Sequence, residues 1–245
     1  MTYCVAVRVD QGLVMLSDTR TNAGMDNIAR FRKCFTYAVP GERAITLQCS
    51  GNLSITQGVK AMIGRAIKDS MLDPAVETIL NCATMYRAAQ LVGQAMREMQ
   101  LLYRSTLEKQ GSAPGASIML AGQRKGGKPR LYLVYSAGNF IEATADTPFF
   151  QIGEHKYGKP ILDRIIHRDT SLEDATKAAL VSMDSTLRSN LSVGMPLDLV
   201  VIESDSFDFR VRTRIEADDE QFAQISQSWS AALRKGFEDL PNVLG

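Results

Sequence analysis

A chain of 245 residues that is 45% hydrophobic can bury one large core without disulfides or metals, which excludes disordered and fibrous classes. Its 28 Lys and Arg nearly balance 27 Asp and Glu, leaving a net charge of +1, so the total charge favours neither a nucleic acid nor an anionic membrane as partner. Cys4, Cys34, Cys49 and Cys82 form no CxxC pair and sit in apolar neighbourhoods, where a free thiol behaves as a small hydrophobe. No basic segment leading into an apolar run opens the chain, and no apolar stretch of roughly eighteen residues occurs. These features predict a cytoplasmic protein that does not span a membrane.

The predicted elements begin with two extended runs, Tyr3 to Val9 and Leu13 to Asp18, separated by Asp10-Gln11-Gly12, a hairpin signal. A second pair, Lys33 to Val39 and Ala44 to Ser50, flanks the turn Pro40-Gly41-Glu42-Arg43. The period then changes. Leu53, Ile55, Val59, Met62, Ile63, Ala66 and Ile67 recur at helical spacing, with Asn52 or Ser54 as cap. Asp73-Pro74 predicts the opening of a second helical stretch, running with breaks to Gln110. Strands return at Ala116 to Gly122 and Arg130 to Ser136, with shorter pieces from Phe140 to Ala145 and Phe149 to Ile152. Thr170 and Glu173 predict a capping box for a helix through about Leu187. Leu197 to Ser204 and Phe207 to Ile215 read as a hairpin around Asp205-Ser206, and Phe222, Ile225, Trp229 and Leu233 mark one face of a last helix.

Segregated runs of strands and helices, with no linker or repeat, predict a single α+β domain over residues 1–245 rather than alternating βαβ units. Two antiparallel sheets packed face to face, with helices on both outer faces, bury these runs in a four-layer αββα sandwich.

Only two histidines occur, His155 and His167, in neither HxxxH nor HExxH spacing, so neither a metal site nor a histidine triad is expected. Thr2 offers a different chemistry. Once Met1 is removed, one residue carries both a hydroxyl nucleophile and an α-amine whose ordinary pKa, about 7.7 to 8.0, suits a base. Asp18 closes the strand beside the terminus and Lys33 opens the next one; a lysine ammonium near the amine favours its neutral form, and an aspartate orients that lysine. Ser50-Gly51, where a strand meets a helix, offers backbone N–H groups for an oxyanion. Taken singly, each has a plainer reading: a small residue after the initiator, a turn aspartate, a solvated lysine, a helix-entry glycine.

Together, the stretches TYCVAVRVDQGLVMLSDTRTNAG, FRKCF and LQCSGN resemble the proteasome-type N-terminal-nucleophile hydrolases, and within them the bacterial ancestral beta-subunit branch. The resemblance implies the αββα sandwich, threonine-type amide hydrolysis without metal or cofactor, and assembly of many copies into a ring or a helical, ring-like homo-oligomer. Carried over by residue, Thr2 becomes nucleophile and base, Lys33 tunes the amine, Asp18 supports Lys33, and the Gly51 amide lines the oxyanion hole. Asn22, Ala23 and Ser50 would border the cleft and bind a peptide or protein substrate as an added strand.

Two departures from the family pattern stand out. Where a serine follows a glycine near the terminal threonine, this chain reads Ile152-Gly153-Glu154-His155, so Glu154 takes the serine's place. The family's aspartate and serine ahead of a glycine resemble Ser189 and Ser192 in RSNLSVG, with Asp184 a substitute for the aspartate only if the helix end shifts. The expected activity is peptide-bond cleavage. An amidase acting on small or non-standard peptides and a weakly active structural subunit are the alternatives. No GxxxxGK[ST] motif is present, so an energy-dependent step calls for a separate ATPase or operon partner.

Overall fold

The computed structural model of the chain describes residues 1–22 and 28–243. Twelve strands and five helices follow the order β1 (Tyr3–Val9), β2 (Gly12–Asp18), β3 (Arg20–Asn22), β4 (Ile28–Arg30), β5 (Cys34–Val39), β6 (Arg43–Gly51), α1 (Leu53–Leu72), α2 (Met85–Lys109), β7 (Ala116–Arg124), β8 (Arg130–Val134), β9 (Phe140–Glu142), β10 (Phe149–Gly153), α3 (Lys159–Ile165), α4 (Leu172–Ser189), β11 (Leu197–Glu203), β12 (Val211–Ile215) and α5 (Glu220–Glu238) among the described residues. Two five-stranded antiparallel sheets, ordered β10-β1-β2-β11-β12 and β5-β6-β7-β8-β9, pack against each other, and β3 and β4 form a small ribbon beside them.

Alternation along each strand assigns the layers. Val5, Val7, Val14 and Leu16 point from the first sheet into a cluster with Leu172, Ala175, Ala179 and Met183 of α4. Cys4, Ala6, Leu13 and Met15, one residue out of phase, point the other way and meet Cys34, Ala44, Met119 and Ala121 between the sheets. Ile45, Leu47, Ile118 and Leu120 turn toward α1 and α2 and pack on Val59, Ala88 and Val92. These three apolar clusters between four layers are the predicted αββα sandwich. Strands β1 and β2 are buried on both faces, which is why they read as near-continuous apolar runs.

Several element ends differ from expectation, each for a local reason. Asp73 does not open a helix: it closes α1, its carboxylate accepts the Ala75 N–H at 2.9 Å, and the loop that follows is tied by Asn81 to Val76 and Thr78. The second helix starts eleven residues later than expected, behind Thr84, whose hydroxyl accepts the Arg87 N–H at 3.0 Å. The cap of α4 is Ser171, not Thr170: Ser171 Oγ accepts from Asp174 N at 3.0 Å, while Thr170 Oγ1 accepts the His167 N–H. The last hairpin loop is longer than the expected Asp205-Ser206 turn, because Asp205 and Phe207 adopt left-handed φ of 63° and 53° and delay pairing until Val211.

Candidate active site

Hairpin β1-β2 sets Asp18 beside the start of β1, since Cys4 pairs with Ser17 at the end of the hairpin register. Asp18 is fully buried. Its Oδ1 accepts the Tyr3 N–H at 3.0 Å and the Lys33 ammonium at 2.7 Å, and its Oδ2 accepts the Gly194 N–H at 3.3 Å. Lys33, 5% exposed, also donates to the Arg20 carbonyl at 2.5 Å and to the Met1 carbonyl at 3.5 Å. Three separate elements thus converge on the Met1-Thr2 peptide, and the ammonium lies next to its carbonyl.

The electrostatics follow from burial. Burial pushes the Asp18 carboxyl above its ordinary value, opposed by the Lys33 charge and by the two N–H donors. The terminal amine on Met1 is held below its ordinary value by burial first and by the Lys33 charge second, with Asp18 pulling the other way. A positive charge at this end of β1 is therefore disfavoured.

The other side of Thr2 is closed by backbone. Gly153 has φ +85°, and a Cβ there would sit 2.0 Å from the Thr2 carbonyl oxygen, so only glycine admits this approach. The neighbouring Glu154 N–H donates to that same carbonyl at 2.6 Å. The Glu154 carboxylate is buried and accepts the N–H groups of His155 at 2.9 Å and Lys156 at 2.8 Å through Oε1, and the Asn190 side-chain amide at 2.9 Å through Oε2. Burial raises its pKa, but those three hydrogen bonds outweigh it and hold the carboxyl below its usual range.

Gly51 ends β6 at φ +95°, where a Cβ would lie 2.3 Å from the Gly115 carbonyl oxygen. It lines a cleft with Thr2, Thr21, Lys33, Cys49 and Ser50. Asn52 follows as the cap of α1, accepting from Ser54 N at 3.1 Å and Ile55 N at 3.4 Å. Thr2, Asp18, Lys33, Ser50 and Gly51, far apart in sequence, therefore meet at one place. Asn22 falls at the end of β3, and Ala23 lies outside the described residues.

Ser189 is the last residue of α4 and Ser192 lies in the loop behind it; between them Asn190 reaches Glu154 and holds the Ser192 N–H at 2.9 Å. Asp184 stays within α4, paired with Arg188 at 3.1 Å. The groups of this segment that reach Glu154 and Asp18 are the Asn190 side-chain amide and the Gly194 N–H. A polar residue at the helix C-cap and a glycine four residues further on were the signals available for them. Among the described residues no group of His, Cys, Asp and Glu is arranged to hold a metal ion.

A four-layer sandwich with a buried Lys-Asp pair at the start of its first strand defines a proteasome-type subunit, and a family model described as Proteasome subunit matches residues 84–202. A solved structure of Anbu (ancestral beta-subunit) from Yersinia bercovieri is 45% identical with a TM-score of 0.89, covering 98% of this chain and 99% of that one. An Anbu Gly-1 mutant from Hyphomicrobium sp. strain MC1 is 49% identical, with a TM-score of 0.89 and 99% coverage of both chains. The helical assembly of the Anbu complex from Pseudomonas aeruginosa provides a chain 47% identical, with a TM-score of 0.90 over 98% of this chain and 97% of that one. A search of curated proteins returned no match. The chain belongs to the Anbu family of proteasome-type beta subunits, with their N-terminal-nucleophile hydrolase fold.

Proposed function

We propose that the chain is a threonine-type hydrolase that cleaves peptide bonds with Thr2 after loss of Met1. The observation that carries this reading is the Lys33 ammonium, anchored on Asp18 at 2.7 Å and lying 3.5 Å from the Met1 carbonyl, one bond from the nitrogen that removal of Met1 would free. With Met1 in place that nitrogen is an amide and has no basicity. Once freed, the amine meets the same burial and the same Lys33 charge that hold the Met1 amine below its ordinary value. It then takes the Thr2 hydroxyl proton, and the hydroxyl oxygen attacks the substrate carbonyl. The Gly51 N–H, at the mouth of the cleft, is the donor for the oxyanion. The tetrahedral intermediate collapses with cleavage of the C–N bond, the protonated Thr2 amine gives its proton to the departing amine, and water then attacks the Thr2 ester, releasing the acid and regenerating Thr2.

In this reading Glu154, steadied by the Asn190 amide, fixes the backbone of Thr2 through its own N–H. Ser50 borders the cleft, where an extended peptide adds as a strand. The subunit works in the cytoplasm, consistent with four buried free cysteines, and as a homo-oligomer. The helical assembly of the Pseudomonas relative supports that, as do exposed apolar side chains on α2 and α5, Leu101 at 86% and Phe237 at 75%. The test is turnover of unfolded polypeptide and of short capped peptides by the Met-free protein, against Thr2→Ala. Activity on either substrate that disappears in Thr2→Ala supports the proposal; no turnover of either, or turnover unchanged by Thr2→Ala, removes it. A monomer in solution mass measurements would count against the assembly.

A further inference from the structure

A second cavity of about 300 Å³ opens at the edge of the sandwich, between edge strands β5 and β12. Its mouth carries three guanidinium groups, Arg32, Arg212 and Arg214, and its walls include Cys34, Thr36 and Asp198. Asp198 is already spoken for: Arg214 binds both carboxylate oxygens at 2.8 and 3.0 Å, and Arg32 approaches to 3.8 Å. Three cations against one neutralised carboxylate leave the mouth positively charged.

What lies behind the wall is polar and without partners. One strand inward, Cys34 pairs with Gln48, Thr36 with Thr46, and Asp198 with Ser17. Those three inner residues share the side of the sheets that faces the gap between them, because Leu47 and Cys49 turn to the helices of one layer and Leu16 to those of the other. Gln48 and Ser17 are 0% exposed and Thr46 is 1% exposed. Among the described residues the Ser17 hydroxyl, the Thr46 hydroxyl and both the nitrogen and the oxygen of the Gln48 amide have no hydrogen-bond partner. Buried polar groups are normally satisfied, and four orphans in adjoining positions of one layer mark a place where a partner belongs. The cavity itself is lined by three guanidinium groups and the Thr36 hydroxyl, with the unpartnered hydroxyls and amide one strand deeper. That ordering suits a tetrahedral oxyanion, which accepts from every side and matches the arginine fork.

We propose that this cavity binds a small oxyanion, phosphate being the chemistry that fits its donors. The site is distinct from the Thr2 cleft and stands whether or not Thr2 reacts. The two cavities share Arg32, and Ser17 and Cys34 are the chain neighbours of Asp18 and Lys33, so an occupant sits one residue away from the Lys-Asp pair on the opposite side of the strands.

The test titrates inorganic phosphate into the intact protein by calorimetry at low ionic strength, with sodium chloride at matched ionic strength as the control. The proposal expects saturable phosphate binding that chloride does not reproduce. It expects at least a ten-fold loss of affinity in Arg212→Ala, an exposed position whose replacement leaves the fold intact, and a smaller loss in Gln48→Leu. Soaking crystals with tungstate is expected to place the ion among Arg212, Arg214 and Thr36. No saturable heat, equal affinity in Arg212→Ala, or tungstate bound elsewhere overturns the proposal. If Gln48→Leu does not fold, Arg212→Ala and the tungstate position decide by themselves.

Discussion

Replacing Lys33 with methionine removes the only cation bonded to Asp18 among the described residues and leaves a fully buried carboxylate with two N–H donors, from Tyr3 and Gly194. Breaking a buried ion pair from one side costs about 3–5 kcal/mol, because the remaining charge is left in a low-dielectric site. At about 2–4 °C per kcal/mol for a chain of this size, the melting temperature falls by on the order of 10 °C. The loss depends on pH in a fixed direction. Asp18 has a folded pKa above its unfolded value of 3.8, so its contribution is most favourable below that value and is lost as pH rises toward the folded pKa. Without Lys33 to oppose burial, that window extends further upward. Urea unfolding of wild type and Lys33→Met at pH 5 and pH 8, at one fixed protein concentration, reads both effects. The variant's deficit is expected to be larger at pH 8, and the double variant Asp18→Asn with Lys33→Met is expected to recover most of it. A deficit below about 1 kcal/mol that is the same at both pH values refutes the view of Asp18 and Lys33 as a coupled buried pair.

Gly153→Ala places a methyl 2.0 Å from the Thr2 carbonyl at a left-handed φ, and is expected to cost at least about 2 kcal/mol in urea unfolding; Gly41→Ala, also left-handed but with open space around it, serves as the comparison at about 1 kcal/mol. Glu154→Gln is expected to lose about 1 kcal/mol at pH 7, since charge-assisted bonds from His155, Lys156 and Asn190 weaken. The lowered pKa of Glu154 means its stabilisation is present above the ordinary carboxyl value and is lost as pH falls through the folded one, so the two proteins should converge in stability on acidification. Thr84→Ala, removing the cap of α2, is expected to cost about 1 kcal/mol by thermal melting and to leave the Thr2 site unchanged.

The layers were legible because apolar runs and periods survive in the sequence: β1 and β2 are buried on both faces, and α1 and α4 keep one apolar face each. The convergence of Asp18 and Lys33 was legible for a simple reason, since Asp18 ends one strongly patterned strand and Lys33 directly precedes another. Local competition between polar side chains was not. Asp73-Pro74 and Thr170 are each suitable helix starters, and the choice of Thr84 and Ser171 instead rests on hydrogen bonds that sequence patterns do not rank. Asn190 escaped notice because its role depends on Glu154, thirty-six residues earlier, arriving beside the end of α4. The hairpin β3-β4 was missed because three-residue strands carry no readable period. The orphaned Gln48, Thr46 and Ser17 were hidden among apolar strand residues, and only the facing of the two sheets shows that they line one gap.

The proposed role of Thr2 as a nucleophile that supplies its own base is tested most directly by intact mass together with labelling by an electrophile directed at N-terminal threonine. The account predicts that the labelled species has lost Met1, carries the adduct on Thr2, and is missing from Thr2→Ala and strongly reduced in Lys33→Met. Met-free protein that takes up no label, or that labels equally well in Lys33→Met, contradicts it.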